Sequence, residues 1–345
     1  MGNSGTVAQS NNIKRVDWVD FGKGLTIFLV VLGHVILGIY ESNQFSSHET
    51  WLWILVQTLY IYHIPVFFAL SGYFFKPLNS WHDYLRFIKL KTFQLGIPYL
   101  FYNLIQFFLQ NIGGSTVRKM ATFDDLLNIY KSPLGVSWFL YILWGVFVIF
   151  GLISIRVKSK YMLFLISLLF LLLSIYFPTN LMMPQRVGLW SSVFIFGSLL
   201  RDVEIKSPRP WIVGLGLIIL SYLYTWYKLD FENRISYYHP RLWGIIFFVV
   251  VIFAFLLYKH WPKNTIYNYF LNLGKDSLVI YIVHAPIVSV VRILLIKFNI
   301  FNVGLHIFIG LAVGWIGSMF VLYCLKKIPY LDFFFYPLKY FKHMK

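Results

Sequence analysis

Five ionisable side chains fall inside the long apolar stretches of this 345-residue sequence: Lys23, His34, His63, His284 and Arg292. Hydrocarbon tolerates such groups only where they pair, line a cavity or act, so each is a candidate functional residue. Lys23 and His34 stand eleven residues apart, close to three helical turns, so one helix face carries both. Along the axis they are separated by about 16 Å. That line, with a cation at its mouth and an imidazole deep inside, suits a long thin ligand with an anionic head and a reactive tail. Acyl-coenzyme A has that shape, with phosphates at one end and the thioester at the tip of its pantetheine arm. Acyl transfer to a hydroxyl needs a base that titrates near neutrality to take the alcohol proton, and imidazole is such a base. Asp20, fourteen residues before His34, falls near the same face, which gives a catalytic candidate set of His34, Lys23 and Asp20. Gly33 and Gly38 leave little bulk beside the line, as a substrate tunnel needs. Blander readings stand beside these. Lys23 alone reads as an interfacial snorkelling lysine. A lone intramembrane histidine reads as a satisfied helix–helix hydrogen bond, and the glycines as close-packing positions.

The elements that carry these residues must be membrane helices. Hydrophobic residues make up 59% of the chain and charged residues only 12%, with a mean hydropathy of +0.68. Soluble domains carry about 25% charged residues. The apolar residues also fall in runs, which excludes a soluble enzyme, a disordered chain and a nucleic-acid binder. The formal charge of +17 therefore reads as topology rather than as affinity for nucleic acid. Cys324 is the only cysteine, which excludes an intrachain disulfide and a cysteine metal site. The first fifteen residues are polar, and no short apolar stretch with a small-residue cleavage site precedes the first span, so no signal peptide is expected. The absence of an Asn-x-Ser/Thr sequon favours a bacterial envelope, and the expected location is the bacterial plasma membrane.

At about 20 apolar residues per crossing, ten spans are expected: 21–40, 52–75, 93–110, 136–155, 161–177, 188–200, 211–227, 242–258, 277–296 and 305–325. The fold class is thus an all-α integral membrane protein with about ten transmembrane helices. The sixth span is short and preceded by Pro184 and Arg186. With the N-terminus inside, the inner segments hold 21 of the 30 Lys and Arg and the outer loops 8, so both termini are expected in the cytoplasm. The domain reading is a cytoplasmic tail over 1–20, a ten-helix membrane domain over 21–325 and a basic cytoplasmic tail over 326–345.

The stretch from Val16 to His34, Val-Asp-Trp-Val-Asp-Phe-Gly-Lys-Gly-Leu-Thr-Ile-Phe-Leu-Val-Val-Leu-Gly-His, resembles the opening span of the membrane acyltransferase-3 family, whose hallmark is a basic residue, ten others, then histidine. The run His63-Ile-Pro-Val-Phe-Phe-Ala-Leu-Ser71-Gly resembles the family's His-x-Pro-x-Phe-Phe-x-x-Ser-Gly segment. Arg86-x-x-Lys89 resembles its Arg-x-x-Arg motif, with lysine in place of the second arginine. Ser137-Trp138-Phe-Leu140 and the segment from Leu273 through Asp276 to His284 are similar to two further family segments. The nearest resemblance is to the standalone sugar O-acetylases of the fucose 4-O-acetylase kind. It implies transfer of an acyl group, usually acetyl, to carbohydrate hydroxyls of the cell envelope, with His34 catalytic and Lys23 its motif partner. Lys23, Arg86, Lys89 and Lys91 are the expected contacts of the acyl-coenzyme A donor, and His63, Ser71, Trp138 and His284 those of the substrate. Acetyl-coenzyme A is then a donor substrate, with no permanently bound cofactor. Expected partners are the carbohydrate acceptor, the bilayer and proteins of envelope polysaccharide synthesis.

Plainer readings apply here too. His63-Ile-Pro65 reads equally as a proline kink. Arg86, Lys89 and Lys91 fall where topology alone predicts cations. Asp276-Ser277 is a sound helix start, and Arg186, His239 and Arg241 read as solvated outer loop. No His, Asp or Glu cluster has metal-ligand spacing, so no metal is expected. Two rivals remain: a transporter or flippase of lipid-linked glycans, and a polyprenyl-linked glycosyltransferase, for which Asp230-x-Glu232 would be the acidic pair. Neither explains the Lys23/His34 register.

Overall fold

In a computed structural model, residues 15–114, 117, 119–228, 236–237 and 240–341 are described. Asp230, Glu232, His239 and the first fourteen residues of the chain lie outside them. The described residues form thirteen α-helices and no β-strand. Helices α1 (Asp17–Tyr40), α2 (Glu49–Gly72), α3 (Trp81–Lys91), α4 (Ile97–Gly113), α5 (Phe123–Leu127), α6 (Trp138–Ser154) and α7 (Lys160–Tyr176) make up the first half. The second half holds α8 (Met182–Leu200), α9 (Pro208–Lys228), α10 (Ile245–Lys259), α11 (Thr265–Gly274), α12 (Ser277–Lys297) and α13 (Val303–Lys327).

Seven of these are long and apolar enough to cross a membrane: α1, α2, α6, α9, α10, α12 and α13. The other three expected spans differ for physical reasons. Helix α7 has 17 residues. Span 93–110 is two pieces, a π-helical turn over Thr92–Gly96 and then α4, whose first turn carries Pro98. The sixth span begins earlier than the hydropathy suggests, since α8 takes in Pro184 and Arg186. Packed between α2, α6, α7 and α10, it buries Ser191, Ser192 and Ser198, and their hydroxyls bond carbonyl oxygens. A helix shielded by other helices has no need of a lipid-facing apolar surface.

Two backbone crossings fix the helices that matter for the site. A Cβ on Gly274 would lie 1.6 Å from the Asp20 carbonyl oxygen, and one on Gly24 1.9 Å from that of Phe270. Helices α1 and α11 therefore touch main chain to main chain. Gly72 and Gly197 do the same for α2 and α8, against Phe194 and Ala69. Helix α2 runs on through Pro65 and α12 through Pro286. Each proline stands two residues after a histidine and forfeits one ladder bond there.

Helix α12 starts at Ser277 with Asp276 at its N-cap position, as the helix-start reading expects, but the Asp276 side chain makes no capping bond. Its carboxylate instead accepts from Lys326 Nζ at 2.6 Å and from the Tyr336 hydroxyl. The segment after α13 thereby folds back on the bundle rather than trailing from it. Phe334 stacks on Phe101 with ring centroids 4.3 Å apart, and Phe341 packs on Phe93 of the π-helical turn. Asp332 accepts from Lys339 Nζ at 2.7 Å and from the Tyr340 hydroxyl, which holds its carboxyl below the usual range against the opposing effect of burial.

Candidate active site

His34 lines a cavity of about 450 Å³ between α1, α2, α4, α6 and α12. Its Nδ1 lies 2.9 Å from the carbonyl oxygen of Val30, one turn back on α1. A carbonyl oxygen only accepts, so Nδ1 carries the proton and Nε2 is the bare nitrogen. Nε2 faces the Tyr60 hydroxyl at 3.4 Å. The ring stands edge-on to that of His284, centroids 4.9 Å apart. His284 repeats the arrangement, with Nδ1 2.9 Å from the Ile280 carbonyl, and its Nε2 is buried without a hydrogen-bond partner. His63 is buried behind Gly33, with its ring 4.6 Å from that of Tyr60. His34 thus meets His284 of α12 directly and shares Tyr60 with His63 of α2. Among the described residues no group of three or more His, Cys, Asp or Glu is placed to hold a metal ion.

The two glycines next to His34 face side chains, not backbone. A Cβ on Gly33 would lie 3.1 Å from His63 Cε1, and one on Gly38 2.5 Å from Arg292 Nη1. The close-packing reading belongs to Gly24 and Gly274 instead.

Trp138 lines the cavity wall opposite α1 and is held from several directions. Asn103 Oδ1 accepts from Leu134 N at 2.8 Å and from the Ser137 hydroxyl at 3.3 Å, which pins the entry to α6. The Tyr281 hydroxyl donates to the Val136 carbonyl, tying that entry to α12. Arg186, far from being a solvated loop residue, stacks its guanidinium 4.5 Å from the Trp138 ring.

The remaining candidates gather at the other end of α1. Lys23 Nζ lies 5.7 Å from the Phe74 ring, and Asp20, buried in the first turns, acts on it as the nearest acid. Lys91 Nζ packs 4.5 Å from the Phe147 ring and donates to Gln94 Oε1 at 3.1 Å. Burial, and then the charge of Lys23, push the Lys91 ammonium down to about 8. Arg86 and Lys89 are exposed on α3, so Lys91 is the cation of this stretch that feels Lys23. Ser71 lies on α2 eight residues beyond His63, outside the cavity, and its hydroxyl donates to its own helix at Phe67. Asp20 is about 21 Å from His34 along the helix axis. The structure therefore divides the candidates. His34, His63, Trp138 and His284 form one group, and Asp20, Lys23 and Lys91 form another. Between them a buried hydroxyl chain runs from Thr26 to Tyr258 to Tyr62, each step 2.9 Å.

Sequence reasoning passed over Tyr60 and Glu41. Both carried a signal: Tyr60 stands one turn before His63, and Glu41 two turns after His34, each on its partner's face.

Residues 16–324 match the acyltransferase-3 family, described as an acyltransferase domain. The chain belongs to the acyltransferase-3 family. Its domain takes in both groups of candidates and every helix from α1 to α12. Among curated proteins it is similar to the nodulation protein NolL of Mesorhizobium japonicum, 28% identical over 252 residues, covering 71% of this chain and 56% of that protein. It is also similar to the nodulation protein NolL of Sinorhizobium fredii, 31% identical over 150 residues, covering 39% of this chain and 37% of that protein. The matched regions thus span about half or less of those relatives' length. No solved structure matches the chain.

Proposed function

We propose that this acyltransferase-3 chain is a membrane O-acyltransferase that moves an acyl group, most simply acetyl, from acyl-coenzyme A to a hydroxyl of a cell-envelope glycan or its lipid-linked precursor. One observation carries the reading. A single helix aims the bare nitrogen of His34 into a cavity and holds Lys23, with Lys91 beside it, about 16 Å away at its other end. The donor's phosphates then sit on Lys23 and Lys91, and its pantetheine arm runs along α1 to bring the thioester to His34. The acceptor enters the cavity from the opposite end of α1, where Glu41, Gln110 and Arg292 stand.

In the reaction His34 Nε2 takes the proton of the acceptor hydroxyl as its oxygen attacks the thioester carbonyl. The carbon–sulfur bond then breaks, and the imidazolium returns the proton to the departing coenzyme A sulfur. Val30 holds the imidazole in the tautomer that this requires. The acceptor hydroxyl takes the position on Nε2 that the Tyr60 hydroxyl holds at 3.4 Å. The positive-inside bias puts the Lys23 end in the cytoplasm, in a ten-span chain of the bacterial plasma membrane with both termini inside. Donor and acceptor therefore approach from opposite faces.

The test compares surface glycan from cells with and without the gene. Loss of ester groups at unchanged glycan length is expected. Loss of the glycan itself from the surface would overturn the reading in favour of export or polymerisation.

A further inference from the structure

An alcohol that attacks a thioester leaves negative charge on the carbonyl oxygen, and N–H or O–H donors already aimed at that oxygen lower the barrier. His34 cannot supply one. Its Nδ1 proton is spent on the Val30 carbonyl, and its Nε2 is bare until it takes the acceptor's proton. A second group in the same cavity has to carry the charge.

Helix α4 brings such a group, oriented by a chain of directed hydrogen bonds. The Val136 N–H donates to the Tyr102 hydroxyl oxygen at 3.4 Å. The Tyr102 hydroxyl in turn donates to Gln106 Oε1 at 3.3 Å, one turn further along α4. An amide has one accepting end and one donating end, so tying the oxygen to Tyr102 turns the NH2 group away from it. All three residues line the cavity together with His34. Among the described residues the Gln106 nitrogen bonds nothing else. The Tyr102 hydroxyl already joins α4 to the entry of α6 through Val136. Its further bond to Gln106 ties α4 only to itself, and what it fixes is the direction of the amide.

The chain is seated on a turn that only glycine fits. Gly135 has a φ of +53°, in the left-handed region, and a Cβ there would lie 2.7 Å from the Tyr102 hydroxyl oxygen. The Val136 peptide is held at both ends, by Tyr102 at its N–H and by the Tyr281 hydroxyl at its carbonyl. Tyr281 stands one turn before His284 on α12, and the His284 ring meets that of His34. The amide and the base are therefore mounted on one connected frame.

We infer that Gln106 is the oxyanion donor of this reaction and that Tyr102 is its positioning residue. The inference rests on the acyl-transfer reading above and adds the group that takes up the charge. As the acceptor oxygen bonds to the thioester carbon, the carbonyl electron pair moves onto its own oxygen, which accepts from Gln106 Nε2. The pair then returns, the carbon–sulfur bond breaks, and the sulfur takes the proton that His34 carries.

The experiment uses the full chain in lipid nanodiscs with acetyl-coenzyme A and, as acceptor, surface glycan from cells that lack the gene. Thiol release and ester mass are read together, with thermal unfolding of each variant in parallel. Gln106→Leu should lower kcat roughly 10²–10³-fold. Donor and acceptor KM should move less than about threefold, because the oxyanion exists only near the transition state. Gln106→Glu keeps the size of the side chain and an oxygen for Tyr102 but has no N–H, and it should be as slow. Tyr102→Phe should lower kcat about tenfold, and the double variant Tyr102→Phe/Gln106→Leu should be no slower than Gln106→Leu alone. A residue that only braced the fold would add its own loss instead. A kcat lowered less than tenfold in Gln106→Leu and Gln106→Glu, a loss confined to KM, or additive losses in the double variant would overturn the inference and leave acyl transfer standing. Absence of ester with the native chain would sink the acyl-transfer reading and this inference with it.

Discussion

Asparagine is the sharpest replacement for His34, because its amide nitrogen stands near the position of Nδ1 and still donates to the Val30 carbonyl, 2.9 Å away in the native chain. The substitution removes the bare Nε2 and little else. The fold loses ring contacts with His284 and Tyr60, at centroid distances of 4.9 and 5.8 Å, together worth about 1–2 kcal/mol. The chemical step loses a positioned base, which contributes roughly 10²–10⁴-fold, or about 3–5 kcal/mol of barrier. Single-turnover transfer from labelled acetyl-coenzyme A, with thermal unfolding in parallel, separates the two effects. His34→Gln complements it by placing an amide near Nε2, beside Tyr60. Both variants should accumulate in the membrane, bind donor and turn over at least a hundredfold more slowly. Turnover within tenfold of native in either variant, at near-native stability, would refute the assignment of Nε2 as the base.

Lys91 predicts a pH dependence. With its ammonium pushed down to about 8, the cation is present below that pH and lost as pH rises through it, so the donor KM should climb between pH 7 and 9. Lys91→Arg should flatten that climb, and a flat native profile would remove Lys91 from the donor site. Gly274→Ala should abolish detergent-extractable folded protein, because the added carbon would fall 1.6 Å from a backbone oxygen. Gly38→Ala should not, because what it meets is the movable end of Arg292, and size-exclusion profiles distinguish the two. In a Cys324→Ser background, single cysteines at Asn43, Asn128 and Asn302 should label from outside, and those at Asn79, Ser159 and Asn264 should not. Outside labelling at Asn79 would break the proposed topology.

The Lys23/His34 line was legible in the sequence because helical register is local: eleven residues on one continuous helix fix both the face and the separation. What the line faces was not. Trp138 was marked by the family resemblance, yet its anchoring by Asn103 and its stacking on Arg186 depend on helices far apart in sequence. Arg186 lay beside an apolar run and read as loop, because nothing local shows that α8 is enclosed by four other helices. The same blindness joined 93–110 into one continuous span and left α8 too short. The basic stretch gave three cations of equal appearance, and only packing turned Lys91 inward while leaving Arg86 and Lys89 exposed. Gly33 and Gly38 read as equally good tunnel or packing residues. The difference between a neighbour's side chain and a neighbour's backbone is purely tertiary.

The return of the segment after α13 bears on the order in which the enzyme can be assembled. Residues 331–341 leave the ribosome after all thirteen helices have been made, yet they carry the aromatic rings that brace Phe93 and Phe101. Asp276, which anchors Tyr336, must also wait for them. The turn beside Lys91 is therefore made early and braced last. A nascent chain can insert His34 and its cavity wall while the end that holds Lys91 is still unfinished. Docking of residues 331–341, rather than insertion of the final helix, is the event that closes the Lys91 end.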